Sequence, residues 1–131
     1  MLVDLPADTS ALALARAAVA DALDSTDPSH PRRHDLELIA SELVSNALRH
    51  GQPPITLAVD VGESAVATPS VRITVASQGG DDPRVLTPTA HATTGRGLAM
   101  VAAIADRWGW ERDGATLRVH AEIDGHARTS H

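Results

Sequence analysis

Between Arg32 and His50 the apolar residues Leu36, Ile39, Ala40, Leu43, Val44 and Ala47 recur at helical spacing, and Gly51 supplies a stop signal. This stretch constrains the fold more than any other. An amphipathic helix of about five turns must bury its apolar face against another layer of structure. On the same helix Glu42, Asn46, Arg49 and His50 form a polar stripe that borders the apolar face instead of lying opposite it. A carboxylate and an amide at i, i+4 beside a core are placed to line a pocket.

The flanking chain supplies the other layer. Leu2–Leu5 reads as a short edge strand ended by Pro6, and a helix over roughly 10–23 is predicted by Leu12, Ala15, Val19, Ala22 and Leu23 after the N-cap types Asp8, Thr9 and Ser10. Turn formers fill 24–31. Ile55–Val61 and Val71–Ser77 alternate as strands, joined by a loose connection over 62–70. The segment 78–97, rich in Gly, Pro, Thr and Asp, reads as a long loop, of a length that is usually functional or disordered. A third helix is expected at about 97–105, burying Leu98, Val101, Ala102 and Ala105. Trp108–Glu111 and Ala115–Ile123 then form a hairpin turning at Asp113-Gly114. The expected organisation is one domain over 1–123 with a polar, frayed tail over 124–131.

Composition removes whole classes of chemistry. The 131 residues include no Cys, Phe or Tyr, and all 11 basic residues are Arg. There is thus no disulfide, thiol nucleophile or Cys-ligated metal, and no P-loop lysine or Schiff base. A formal charge of −6 with Trp108 and Trp110 as the only aromatics argues against nucleic-acid binding. The seven His residues lack zinc-site spacing, and no Ser-elbow motif occurs. No apolar run approaches the ~20 residues of a membrane span, and Met1-Leu2-Val3-Asp4 lacks a secretory pattern. The expectation is a soluble cytoplasmic protein with no nucleic-acid or membrane partner. At least one of the two Trp residues is expected to fill core.

Two motifs carry the functional signal. Glu42-Leu43-Val44-Ser45-Asn46-Ala47-Leu48-Arg49-His50-Gly51 resembles the N box of the histidine-kinase-like (GHKL, Bergerat-fold) ATPases. Thr94-Gly95-Arg96-Gly97-Leu98-Ala99-Met100-Val101, followed by Ala105-Asp106-Arg107-Trp108-Gly109, resembles their second glycine box. The resemblance covers roughly residues 5–123, and the compact form is similar to the bacterial anti-sigma-factor serine/threonine kinases. It implies an α/β two-layer sandwich, a mixed, mostly antiparallel sheet with three helices on one face and residues 81–97 closing the pocket as a lid.

The resemblance also implies cofactors and roles. ATP with Mg²⁺ would be bound, Asn46 matching the amide that ligates the metal, for which one protein oxygen beside phosphates and water suffices. Glu42 would match the acidic residue that accepts the proton of the attacking group. Gly95 and Gly97 would match the glycines whose amides approach the phosphates, with Arg96 as a charge clamp and Thr94 and Leu98 in the same binding segment. Arg49 and His50 would flank the phosphate mouth. The implied partners are a sigma factor and an anti-sigma antagonist protein, and related kinases generally form homodimers.

One position departs from the pattern. The family's first glycine box has Asp-x-Gly at a strand end, where the Asp accepts a hydrogen bond from the adenine amino group. Here Ser77-Gln78-Gly79 stands in that place, so a neutral hydroxyl replaces a charge-assisted acceptor. The expected loss in adenine binding is about 1–3 kcal/mol. Two readings therefore remain: a Mg-ATP-dependent protein kinase, or a protein-binding module of the same fold with weak or no ATP binding.

Overall fold

The computed structural model describes residues 1–62, 67–80, 82–83 and 96–127. The chain order is β1 (Leu2–Leu5), α1 (Ser10–Asp24), α2 (Arg33–His50), β2 (Gln52–Val61), β3 (Ala67–Thr68), β4 (Val71–Gln78), α3 (Arg96–Ile104), β5 (Arg107–Asp113), β6 (Thr116–Ile123) and β7 (His126–Ala127). Five strands form one sheet in the order β1-β2-β4-β6-β5, and every pairing in it is antiparallel. The three helices pack on one face, giving the expected α+β sandwich.

Period-two alternation decides which side chains enter the core. Ile55, Leu57 and Val59 of β2, Val71, Ile73 and Val75 of β4, and Leu117, Val119, Ala121 and Ile123 of β6 are all buried. Opposite them lie the helical stripes, Ala11, Ala15, Val19 and Leu23 from α1 and Leu36, Ile39, Leu43 and Val44 from α2. The opposite face of the sheet is polar and carries a charge ladder in which Glu122 pairs with Arg72 at 3.0 Å and Arg107 at 2.6 Å. On this face the His120 ring lies across Gly109, whose missing Cβ would stand 3.2 Å from the imidazole. Burial and the nearby Arg72 hold the His120 pKa below its usual value, partly offset by Glu122 and Glu111.

Three local features tie the layers together. At the start of α1, Asp8 accepts hydrogen bonds from the Ser10 backbone N–H at 2.8 Å and from the Ser10 hydroxyl, which lowers its pKa. Buried His30, in the α1–α2 loop, accepts from the Arg32 N–H through Nδ1 and donates through Nε2 to Pro69 O, both at 3.0 Å. That pair of partners selects the neutral Nε2–H tautomer and pins the loop to the segment before β4. Arg32 then donates to Asp35 at 2.7 Å and to Ile104 O, the last carbonyl of α3, at 3.0 Å. A cation at that helix end satisfies an otherwise free carbonyl.

The sheet's irregularities also have local causes. Pro53 and Pro54 sit where the β2–β4 register shifts between Gln52 and Thr56, because proline cannot donate to a ladder. After Ile123 the chain stays attached: Asp124 N–H donates to Asp106 at 2.7 Å, and His126–Ala127 pairs with Ala67–Thr68. Among the described residues no helix is long and apolar enough to cross a membrane.

Candidate nucleotide-binding site

Helix α2 presents the site residues on the flank that faces α3. Asp35, Glu42, Asn46 and Arg49 share one stripe at 3.6 residues per turn. The first turn of that helix is tied to α3 through Arg32 and Ile104 O. α3 packs against α2 and spans about 13 Å from Arg96 to the Ile104 end that Arg32 holds. Glu42 and Asn46 are both half-buried. Among the described residues neither side chain has a hydrogen-bond or ion-pair partner, and no buried side-chain N or O is left unpaired, so their polar atoms reach solvent.

Arg49 and His50 are placed differently. Arg49 is exposed and donates to Ser45 Oγ one turn back at 2.8 Å. The His50 side chain is exposed at the last position of α2, while its backbone carbonyl lies against Gly80. A Cβ on Gly80 would stand 2.1 Å from His50 O, and Gly79 and Gly80 have φ of 62° and 76°. Only glycine fits such a turn. We expect Gly80→Ala to destabilise the domain by about 2 kcal/mol or more, since left-handed backbone and collision with a carbonyl add. A urea midpoint unchanged within error would overturn this reading of the turn.

Ser77 lies at the same end of the sheet and is 3% exposed. It packs under Gly51, where an added Cβ would meet Ser77 Oγ at 2.5 Å and Ser77 Cβ at 2.7 Å. The bare Gly51 thus lets the end of α2 descend onto β4. Gly79 keeps its place after Ser77, its N–H donating to Ala115 O at 2.7 Å. Leu98, in the first turns of α3, is buried in the core cluster, so it supports the site from below. Arg96 and Gly97 start α3 as backbone. Thr94, Gly95 and most of the proposed 81–97 lid lie outside the described residues.

Sequence reasoning missed Arg112. On β5, Trp108, Trp110 and Arg112 alternate onto the helix-facing side, opposite Ala121, Val119 and Leu117. Trp108 packs against the core, whereas Trp110 is 39% exposed. Arg112 turns to the glycine segment and bonds Gly79 O and Gly80 O, each at 3.2 Å, and Asp82 at 3.1 Å. An Arg in the inward register of an alternating strand was the available signal. The exposed Asp82 carboxylate is this arginine's ion-pair partner.

The residues fit a nucleotide with its metal in part. Asn46 offers one hard oxygen donor, Glu42 an unpaired carboxylate, and the glycine turn and the start of α3 offer backbone groups near a helix N-terminus. Among the described residues no cluster of three or more His, Cys, Asp or Glu could hold a metal by itself, so a cation here would need phosphate oxygens as well. Two surface cavities of about 310 and 340 Å³ share Asp60 and Val61 at the far end of β2 and are separate from this site.

A family model described as the histidine kinase-like ATPase domain matches residues 5–121. The chain belongs to that family. The structure of the RsbU and RsbW domains of Rv1364c from Mycobacterium tuberculosis is similar to this chain, with a TM-score of 0.69 and 20% identity. The match covers 99% of this chain and 33% of that one, so this chain spans about a third of that chain's length. At that identity the likeness speaks for the fold. No curated protein matches the chain. Family membership makes this an ATPase-type domain.

Proposed function

We propose that this domain binds Mg-ATP in the groove between α2 and α3. We propose further that it acts as a protein serine/threonine kinase on an antagonist protein in a partner-switching system that controls a sigma factor. The observation that carries the reading is the pair Glu42 and Asn46, half-buried, one turn apart and without partners among the described residues. An amide and a carboxylate left free on this flank are available to a ligand. Membership of the ATPase family supports the nucleotide, and the RsbW domain in the similar structure supports the anti-sigma type.

In this reading Asn46 would hold the metal, which supplies charge neutralisation at the phosphates. Glu42 accepts the proton of the hydroxyl that attacks the terminal phosphate. The start of α3 turns its free N–H groups toward the phosphates, with Arg96 beside them, and together they do the work that lysine does in other phosphate sites. Ser77 and the Gly79–Gly80 turn meet the base. The self-association and the cytoplasmic location that the resemblance implies belong to the same proposal.

Ser77 favours a second reading, a protein-binding module with weak or no nucleotide binding, because the base meets a neutral, nearly sealed hydroxyl. Calorimetric titration with ATP, with and without Mg²⁺, decides between them. We expect saturable Mg-dependent binding that Asn46→Ala weakens at least tenfold. Absence of any binding to the wild type would leave only the second reading.

A further inference from the structure

We propose that Arg112 is a positioning residue that sets the base preference of the nucleotide site by holding the Gly79–Gly80 turn. The inference rests on the nucleotide-site reading above and adds a residue that lies in neither sequence motif.

Arg112 occupies the inward register of β5, in the cross-strand row Ser77–Leu117–Arg112. A guanidinium on the core side of a sheet is costly unless its donors are used. Here they are used on one object. Nη1 donates to Gly79 O and Nη2 to Gly80 O, each at 3.2 Å, and Nε to the Asp82 carboxylate at 3.1 Å. The rigid fork takes two successive carbonyls and the carboxylate just beyond them. Around the turn the other restraints are backbone: Gly79 N–H on Ala115 O at 2.7 Å, and His50 O against Gly80. Among the described residues Arg112 is therefore the one side chain that holds both glycine carbonyls without belonging to the turn.

Base recognition at this turn is a matter of direction. Adenine presents a donor amino group beside an acceptor ring nitrogen, and guanine presents the reverse. A site built around fixed hydrogen-bond groups rejects the mismatched base because buried groups are left unpaired. With Ser77 neutral, the discrimination that an acid supplies elsewhere falls to the main chain of the turn. That main chain discriminates only while its carbonyls are held, and Arg112 holds them.

The test compares calorimetric binding of ATP, GTP and inorganic tripolyphosphate, all with Mg²⁺, to the wild type, Arg112→Gln, Arg112→Lys and Asp82→Ala. We expect Arg112→Gln to weaken ATP about tenfold, change GTP less than about twofold and leave tripolyphosphate unchanged. Arg112→Lys keeps the charge but not the fork, and it should lose the ATP preference as Gln does. Asp82→Ala, at an exposed loop position, should shift the ATP-to-GTP ratio in the same direction. Amide exchange at Gly79, bonded to Ala115 O, should accelerate in Arg112→Gln without nucleotide. Equal losses for all three ligands, an unchanged ATP affinity, or full recovery in Arg112→Lys would overturn the proposal. A wild type that binds neither ATP nor tripolyphosphate would instead overturn the nucleotide-site reading, and this inference with it.

Discussion

Glu42→Gln lowers phosphotransfer to the protein substrate by about 10²–10⁴-fold while Mg-ATP affinity stays within about threefold, if Glu42 is the proton acceptor. That range corresponds to roughly 2.7–5.4 kcal/mol of barrier. The reason for a split effect is the placement of the side chain. Glu42 is half-buried on the α3-facing flank of α2 and has no hydrogen-bond or ion-pair partner among the described residues, so its removal should cost the fold little. Asn46, one turn on, is the residue whose loss should appear in binding. Single-turnover transfer of labelled phosphate, beside a calorimetric affinity and a melting curve for each variant, separates the two. A Glu42→Gln protein that retains a tenth or more of the wild-type rate assigns the proton transfer elsewhere.

Leu43→Ala should destabilise the domain by about 2–5 kcal/mol, out of a total that for such domains is about 5–15 kcal/mol. Leu43 is 1% exposed and seats α2 in the core cluster. Urea unfolding monitored through Trp108 and Trp110 measures the loss, and at roughly 3–5 °C per kcal/mol the melting temperature should fall by about 6–25 °C. Leu14→Ala is the matched control: Leu14 is 45% exposed, and its truncation should stay within about 0.5 kcal/mol. Equal effects in the two variants would mean that α2 is not seated by its apolar stripe. Because Glu42 neighbours Leu43, the core variant should also lose activity before it loses its fold.

Much of this was legible in residue order. The apolar stripe of α2 predicted its buried face residue by residue, and the alternation in β2, β4 and β6 predicted which side of the sheet meets the helices. Glu42 and Asn46 announced themselves because they border that stripe. Their placement on the α3 side, and not on the α1 side, was not legible, because periodicity fixes a flank but not its neighbour. The Arg32 bond to Ile104 O, between residues 72 apart in sequence, gives the neighbour. Arg112 was passed over for a similar reason: hairpin alternation marks it as inward, but its partners come from a glycine turn more than thirty residues earlier.

The substitution at Ser77 shows the division most clearly. Residue identity alone raised the expectation that a neutral hydroxyl stands where the family carries an acid, and it established that the chain has no lysine and that a helix with an amide and a carboxylate beside its core runs near residues 33–50. These are properties of local chemistry and of helical period, and they hold wherever the helix packs. Only the assembled sandwich brought Gly51 down onto Ser77, His50 O onto Gly80, and Arg112 across to the same turn. Those contacts join the end of one helix, the end of one strand and an edge hairpin. Close packing between elements distant in the chain decides them, and no local pattern encodes it.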